Sequence, residues 1–151
     1  MADKNEFIEQ KIVAAIQGLL ARQVNELLQK YNFSAPPIQF GDFDSRAHVV
    51  SPEILLSPCE ETDKEEAERL STYYLSVSFL FPKTREKGLY CFAYSDAVRK
   101  VVNENPTLDG AAESAVIIKT KFIMPSKFDC GENYDLVVTL QITVSKPSPA
   151  A

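Results

Sequence analysis

Two stretches of this chain alternate apolar and polar residues so regularly that they dictate a half-buried sheet before anything else is considered. Tyr73, Leu75, Val77, Phe79 and Phe81 interleave with Tyr74, Ser76, Ser78 and Leu80, and further on Tyr134, Leu136, Val138, Leu140, Ile142 and Val144 interleave with Asp135, Thr139, Gln141 and Thr143. A period of two sends successive side chains to opposite faces of a strand. One face of each strand therefore demands an apolar cover, and the other has to suit water or a partner.

The cover is legible upstream. From about Asn5 to Tyr31, the residues Ile8, Ile12, Ile16, Leu19, Leu20, Val24, Leu27, Leu28 and Tyr31 recur every three or four positions, the spacing of a long amphipathic helix. Ser34, Pro36 and Pro37 end it, since proline lacks the backbone donor and restrains the residue before it. A second helix is expected from Leu89, Phe92, Ala93, Ala97, Val98, Val101 and Val102, about 15 to 18 residues long and closed by Asn105-Pro106.

The remaining segments read as strands and connections. Ile38, Phe40, Val49, Val50 and Ile54 to Leu56 suggest one or two short strands broken by Gly41, Asp42, Asp44, Ser51 and Pro52. Ala115 to Met124 is a strand closed by Pro125 and joined to the last one through a hairpin connector, Ser126 to Asn133. Pro58 to Arg69 reads as a solvated, charged loop. The order helix, strands, helix, two strands predicts an α+β fold: a mixed or mainly antiparallel sheet of four to five strands with two helices packed on one face. A length of 151 residues suits one domain, expected over 1–145, with 146–151 as a disordered tail.

Composition narrows the function classes. At 45% hydrophobic and 25% charged, the chain resembles an average soluble globular protein, and the expectation is an intracellular product with no membrane partner. The net charge is −5, and Glu60 to Arg69, with six acids and two bases, supplies −4 of it. No clustered basic face is left to neutralise phosphates, so nucleic-acid binding is not expected. Cys59, Cys91 and Cys130 are more than thirty residues apart and read as free thiols in a reducing compartment.

The search for chemistry ends without a constellation. His48 is the only histidine, and Asp42 and Asp44 lie near it, but three ligands on one segment with no partner cluster read as a polar turn. The five glycines, at 18, 41, 88, 110 and 131, assemble no phosphate-cradling loop. Glu60 with Glu61 and Glu65 with Glu66 are neighbours without the burial that separates carboxyl pKa values. No catalytic residue, metal site or cofactor is expected, and a binding or assembly role is favoured over an enzyme.

A sequence pattern adds to this. Val98-Arg99-Lys100-Val101-Val102-Asn103-Glu104-Asn105 is followed by Pro106-Thr107-Leu108-Asp109-Gly110, a strand from Ala115, a turn and a closing strand from Tyr134. This resembles the tail-terminator and tail-completion (minor tail) proteins of long-tailed bacteriophages, in which a helix commonly precedes an asparagine-proline, a Thr-Leu-x-Gly turn and two strands. The likeness in pattern spans about Ala97 to Val144, and the acidic stretch from Cys59 to Arg69 departs from it. In physical terms Pro106 halts the helix, Leu108 can fold back on its last turn, and Gly110 permits a left-handed backbone, as any α+β protein could use.

The resemblance implies a structural protein of a phage or prophage. Such a protein forms a homo-oligomeric ring, generally a hexamer, on the last ring of the tail-tube protein and presents the surface to which a head-completion or connector protein joins. It implies localisation in the cytoplasm of the bacterial host during assembly and then in the virion tail, and it supplies no catalytic residues. Tyr74, Leu80 and Val137 make the outer sheet face partly apolar, as a subunit contact would require. Pro58 to Arg69 and Ser126 to Asn133 are the loops expected to dock. The alternatives are a small-ligand or peptide-binding module with walls from Tyr73 to Phe81, and an enzyme using His48 and Asp44.

Overall fold

A computed structural model describes residues 7–31, 36–40, 50–57, 60–63, 68–82, 87–123 and 133–147. The expected amphipathic helix is formed by α1 (Ile8–Leu19), a π-helical segment (Leu20–Val24) and α2 (Asn25–Leu28), which follow one another without a break. Phe7 offers no capping side chain, but the Gln10 amide oxygen accepts its backbone N–H at 2.8 Å. Ile12, Ile16, Leu20, Val24 and Leu28 are all buried and recur every fourth residue. At 3.6 residues per turn such a row drifts by about 40° at each step, and the wider π turn takes up part of that drift.

Five strands form one sheet: β1 (Glu53–Leu56), β2 (Glu60–Asp63), β3 (Glu68–Pro82), β4 (Ser114–Ile123) and β5 (Asn133–Pro147). Their order is β1-β3-β5-β4, with β2 also on β3, and every pairing between them is antiparallel. The β3–β5 ladder holds one register from Glu68 opposite Pro147 to Pro82 opposite Asn133. Along the other side of β3, Leu56 pairs with Leu75 and Glu60 with Thr72, so one strand advances four residues against three. β1 and β2 therefore lie end to end along the same side of β3, with their registers offset by one residue. Ile38 and Val50 add an isolated parallel bridge.

The α+β class and the layer of helices against an antiparallel sheet agree with the sequence reading. Inward side chains Leu75, Val77, Phe79, Leu136, Val138, Leu140 and Ile142 are buried beneath the helices. From α3 (Lys87–Glu104), Tyr94 packs against Phe81 and Phe79 with ring centroids 5.0 and 5.5 Å apart, and Tyr90 meets the Phe81 ring edge-on at 5.8 Å. Tilted and edge-on rings of this kind add to the apolar burial.

Polar bonds tie the layers together. The Asn25 amide donates to the Ala21 and Ile38 carbonyls, and its oxygen accepts the Ile38 N–H at 2.7 Å. Asn25 thus reads both backbone groups of one residue. The Tyr73 hydroxyl donates to Glu9 on α1, the Tyr94 hydroxyl to the Pro36 carbonyl, and the Tyr31 hydroxyl to Asp96 at 2.9 Å.

Two expectations are corrected. The acidic stretch read as a loop contains β2 and the start of β3, because β3 offers β2 backbone partners from Arg69 to Thr72. Strands are insensitive to a polar composition when ladder bonds are on offer, and charge on an edge deters further pairing. The expected tail begins too early: Lys146 and Pro147 still belong to β5, opposite Arg69 and Glu68. The hairpin connector up to residue 132, and the segment 41–49 with Asp42, Asp44, His48 and Val49, lie outside the described residues.

Candidate functional site

The inward face of the sheet is spent on the core, so binding has to use what lies outside it. Cross-strand rows define the outer face. Tyr74, Gln141 and Val116 form one row; Leu55, Ser76, Thr139 and Lys119 the next; then Glu53, Ser78, Val137 and Lys121; then Leu80, Asp135 and Ile123. Among these, Leu80, Leu55 and Val116 are 61%, 58% and 51% exposed. Tyr74 and Val137, the other apolar residues expected there, are half-buried. The Ser76 and Thr139 hydroxyls lie 3.4 Å apart across the middle.

Among the described residues both lateral edges of the sheet are open. Among the described residues nothing pairs with β4 beyond β5, or with β1 and β2 beyond β3. Around the β4 edge, Ile118 at a register irregularity and Ile123 are exposed, and Phe122 packs at a tilt against the exposed Phe92 of α3 with ring centroids 5.4 Å apart. An open ten-residue edge with apolar neighbours is a template for another strand. Lys119 and Lys121 are the charged residues on it, and both are exposed.

The segment that delivers the chain to this edge is the one carrying the tail-protein pattern. After α3, Leu108, Asp109 and Gly110 have φ of 49°, 60° and 89°. Three left-handed residues in succession are unusual, and a leucine there costs about 1–2 kcal/mol. Complete burial of Leu108 offsets that cost. Backbone bonds close the turn: Gly110 and Ala112 N–H donate to the Thr107 carbonyl, each at 3.0 Å, and Ala115 N–H to the Pro106 carbonyl at 2.7 Å. Asn105 holds the helix end, its amide donating to Gln23 Oε1 at 2.9 Å and to the Val101 carbonyl at 2.8 Å. Arg22 on the π turn and Asp109 form an exposed ion pair at 3.6 Å, which adds little to stability. The folded-back Leu108 and the left-handed Gly110 agree with the sequence reading; the positive φ of Leu108 and Asp109 had no signal in it.

Titratable groups add no reactive centre among the described residues. Cys91 is fully buried, and burial, followed by the charge of Asp135, pushes its thiol up to about 11, leaving it protonated and unreactive at neutral pH. Burial likewise raises the Tyr94 phenol. The Asp96 carboxyl is held below its ordinary value, first by the Tyr31 hydroxyl and then by Lys100. Asp135 Oδ1 is buried without a hydrogen-bond partner among the described residues. Among the described residues no three His, Cys, Asp or Glu side chains gather as a metal would need, and no helix is long and apolar enough to cross a membrane. His48, Asp42, Asp44, Cys59 and Cys130 lie outside the described residues, so the alternative of an enzyme built on His48 finds neither support nor contradiction.

No protein-family model matches the chain, and neither does any curated protein.

Proposed function

We propose that this chain is a structural tail-assembly protein of a phage or prophage, which caps the tail tube as a ring and forms the head-joining interface. The observation that carries the reading is the Asn105 to Gly110 segment. Its residues are used there as a fixed joint, with Asn105 bonded across to Gln23, Leu108 buried, and Gly110 left-handed. It is the same stretch whose pattern resembles tail-terminator proteins, and it leads directly into β4, which among the described residues pairs on one side only, with β5. A sheet covered on one side, with exposed Leu55, Leu80 and Val116 on the other, supplies surface for contact with copies and neighbours. Nothing in the reading requires bond chemistry.

The test is capping. Purified protein added to polymerising tail-tube protein from the same phage or prophage should shorten the tubes in proportion to the protein added, with a ring visible at one end by electron microscopy. Tubes of unchanged length, bearing no terminal density, would sink the reading. The open β4 edge also favours a second reading, a module that takes an extended peptide as an added strand. Failure to cap, together with saturable binding of an unstructured peptide in a peptide-library screen, would select it.

A further inference from the structure

We infer that two copies of this chain pair face to face through the outer side of the sheet, related by a two-fold axis close to the strand direction. The contact goes beyond the ring reading and does not depend on it. The outer face is exposed where it is apolar: Leu80, Leu55, Val116 and Ile123 are 61%, 58%, 51% and 39% exposed. Strands β1, β3, β5 and β4 lie side by side in that order, so the middle of the face runs between β3 and β5. A two-fold axis above that line turns a second copy over onto the first, with β1 of each against β4 of the other and β3 against β5. Stacked sheets lie about 10 Å apart with strands within about 30° of alignment, and an axis near the strand direction gives that arrangement.

Each cross-strand row then meets itself reversed. In the row Glu53, Ser78, Val137 and Lys121, the Glu53 of either copy comes opposite the Lys121 of the other, so the symmetry makes this ion pair twice. Both side chains are exposed in the single chain. In the row Leu55, Ser76, Thr139 and Lys119, the lysine stem of residue 119 lies along Leu55 of the other copy. β1 stops short of the row Leu80, Asp135 and Ile123, and there Leu80 comes opposite Asp135 with Ile123 of the other copy beside it. In the row Tyr74, Gln141 and Val116, Val116 comes diagonally across from Tyr74. Each of the exposed apolar residues named above is thereby covered.

The same charges oppose the other face-to-face orientation. A two-fold axis across the strands lays β1 on β1 and β4 on β4, which brings Glu53 towards Glu53 and Lys119 and Lys121 towards the same two lysines. An acid at one side of the face and lysines at the other thus select the axis along the strands. Four strands spaced at about 4.8 Å and four rows at about 6.8 Å cover about 500 Å² on each copy. A total of about 1,000 Å² is near the lower limit for a specific contact, so the association is weak and reversible. Scattered apolar residues among hydroxyls and charges suit a contact of that kind.

Sedimentation velocity on the full chain over a concentration series tests it. The wild type should pass from monomer to dimer as concentration rises. E53K alone and K121E alone each set like charges together at two symmetric places, and each should dimerise about fivefold or more weakly. E53K/K121E restores the pairing with its signs exchanged and should recover wild-type dimerisation. A misfolded chain would not recover, so the double variant is also the folding control. Leu80→Asp, on an inner strand and opposite Asp135 of the other copy, should weaken the dimer about tenfold or more, which separates a face contact from an edge contact. A wild type that stays monomeric up to about 1 mM overturns the pairing. So does a single reversal or a Leu80→Asp variant that dimerises as the wild type does, or a double variant that does not recover. Capping of tail tubes by a chain that never dimerises overturns the face pairing and leaves the ring reading standing, whereas dimers that do not cap do the reverse.

Discussion

Phe79 and Leu80 are neighbours in one strand, yet the first is buried against Tyr94 and the second is 61% exposed. The two faces of the sheet share a backbone, a ladder and a composition rich in apolar residues, and differ in whether helices lie over them. Apolar character alone does not say which side is core. Along β3 from Tyr73 to Phe81 and along β5 from Leu136 to Val144 the inward residues are large and apolar, and they are spent on packing. On the outer face single apolar residues are set among serines, threonines and charges, a mixture that water tolerates and a partner can exploit.

The largest test of this contrast is the pair itself. Phe79→Ala should lower unfolding free energy by about 3–5 kcal/mol in urea titration, whereas Leu80→Ala in dilute protein should stay within about 0.5 kcal/mol. Equal losses at the two positions would mean that both faces are covered within one chain. Next comes Asn25→Ala, which removes three hydrogen bonds and leaves the backbone groups of buried Ile38 unmatched. A loss of about 1–3 kcal/mol is expected, with faster amide exchange at Ile38.

A smaller effect separates backbone from packing at the turn that feeds β4. A methyl at Gly110 would meet nothing within 4 Å, but φ is +89° there. Gly110→Ala should therefore cost about 1–2 kcal/mol through the backbone alone, and an unchanged melting temperature would show that the left-handed turn is dispensable.

The smallest expected effect belongs to Asp96. Its folded carboxyl titrates below the ordinary value of 3.8, so the Tyr31 and Lys100 contacts stabilise the fold above that pH and lose their effect as pH falls through the lower folded value. Tyr31→Phe should lower stability by less than about 1 kcal/mol at neutral pH. The gap to wild type should close below about pH 3.8, measured by urea titration at several pH values.

Helices and the central strands were legible because their signals are periodic and local. Tyr73 to Phe81 and Leu136 to Val144 declare a face every second residue, and Ile12 to Leu28 declare one every turn. The π turn was hidden because a four-residue repeat and a 3.6-residue repeat look alike until the drift has accumulated. β2 escaped because Glu60 to Asp63 has no apolar row; only its register with β3, a partner some ten residues away, makes it a strand. The outer apolar residues Tyr74, Leu80 and Val137 were foreseen, but Leu55, Val116 and the Phe92–Phe122 pair depend on which strand lies at which edge. Strand order is a long-range property that no window of sequence contains.

That order has a consequence for synthesis. β5, made last among the described strands, is the one inserted between β3 and β4. Until residue 147 has cleared the ribosome, the nascent polypeptide holds two apolar strands that cannot yet meet, and neither the helix layer nor the lateral edges have a finished scaffold. Maturation of the monomer is thus gated by its final strand, and premature coupling between incomplete molecules has no completed sheet to build on.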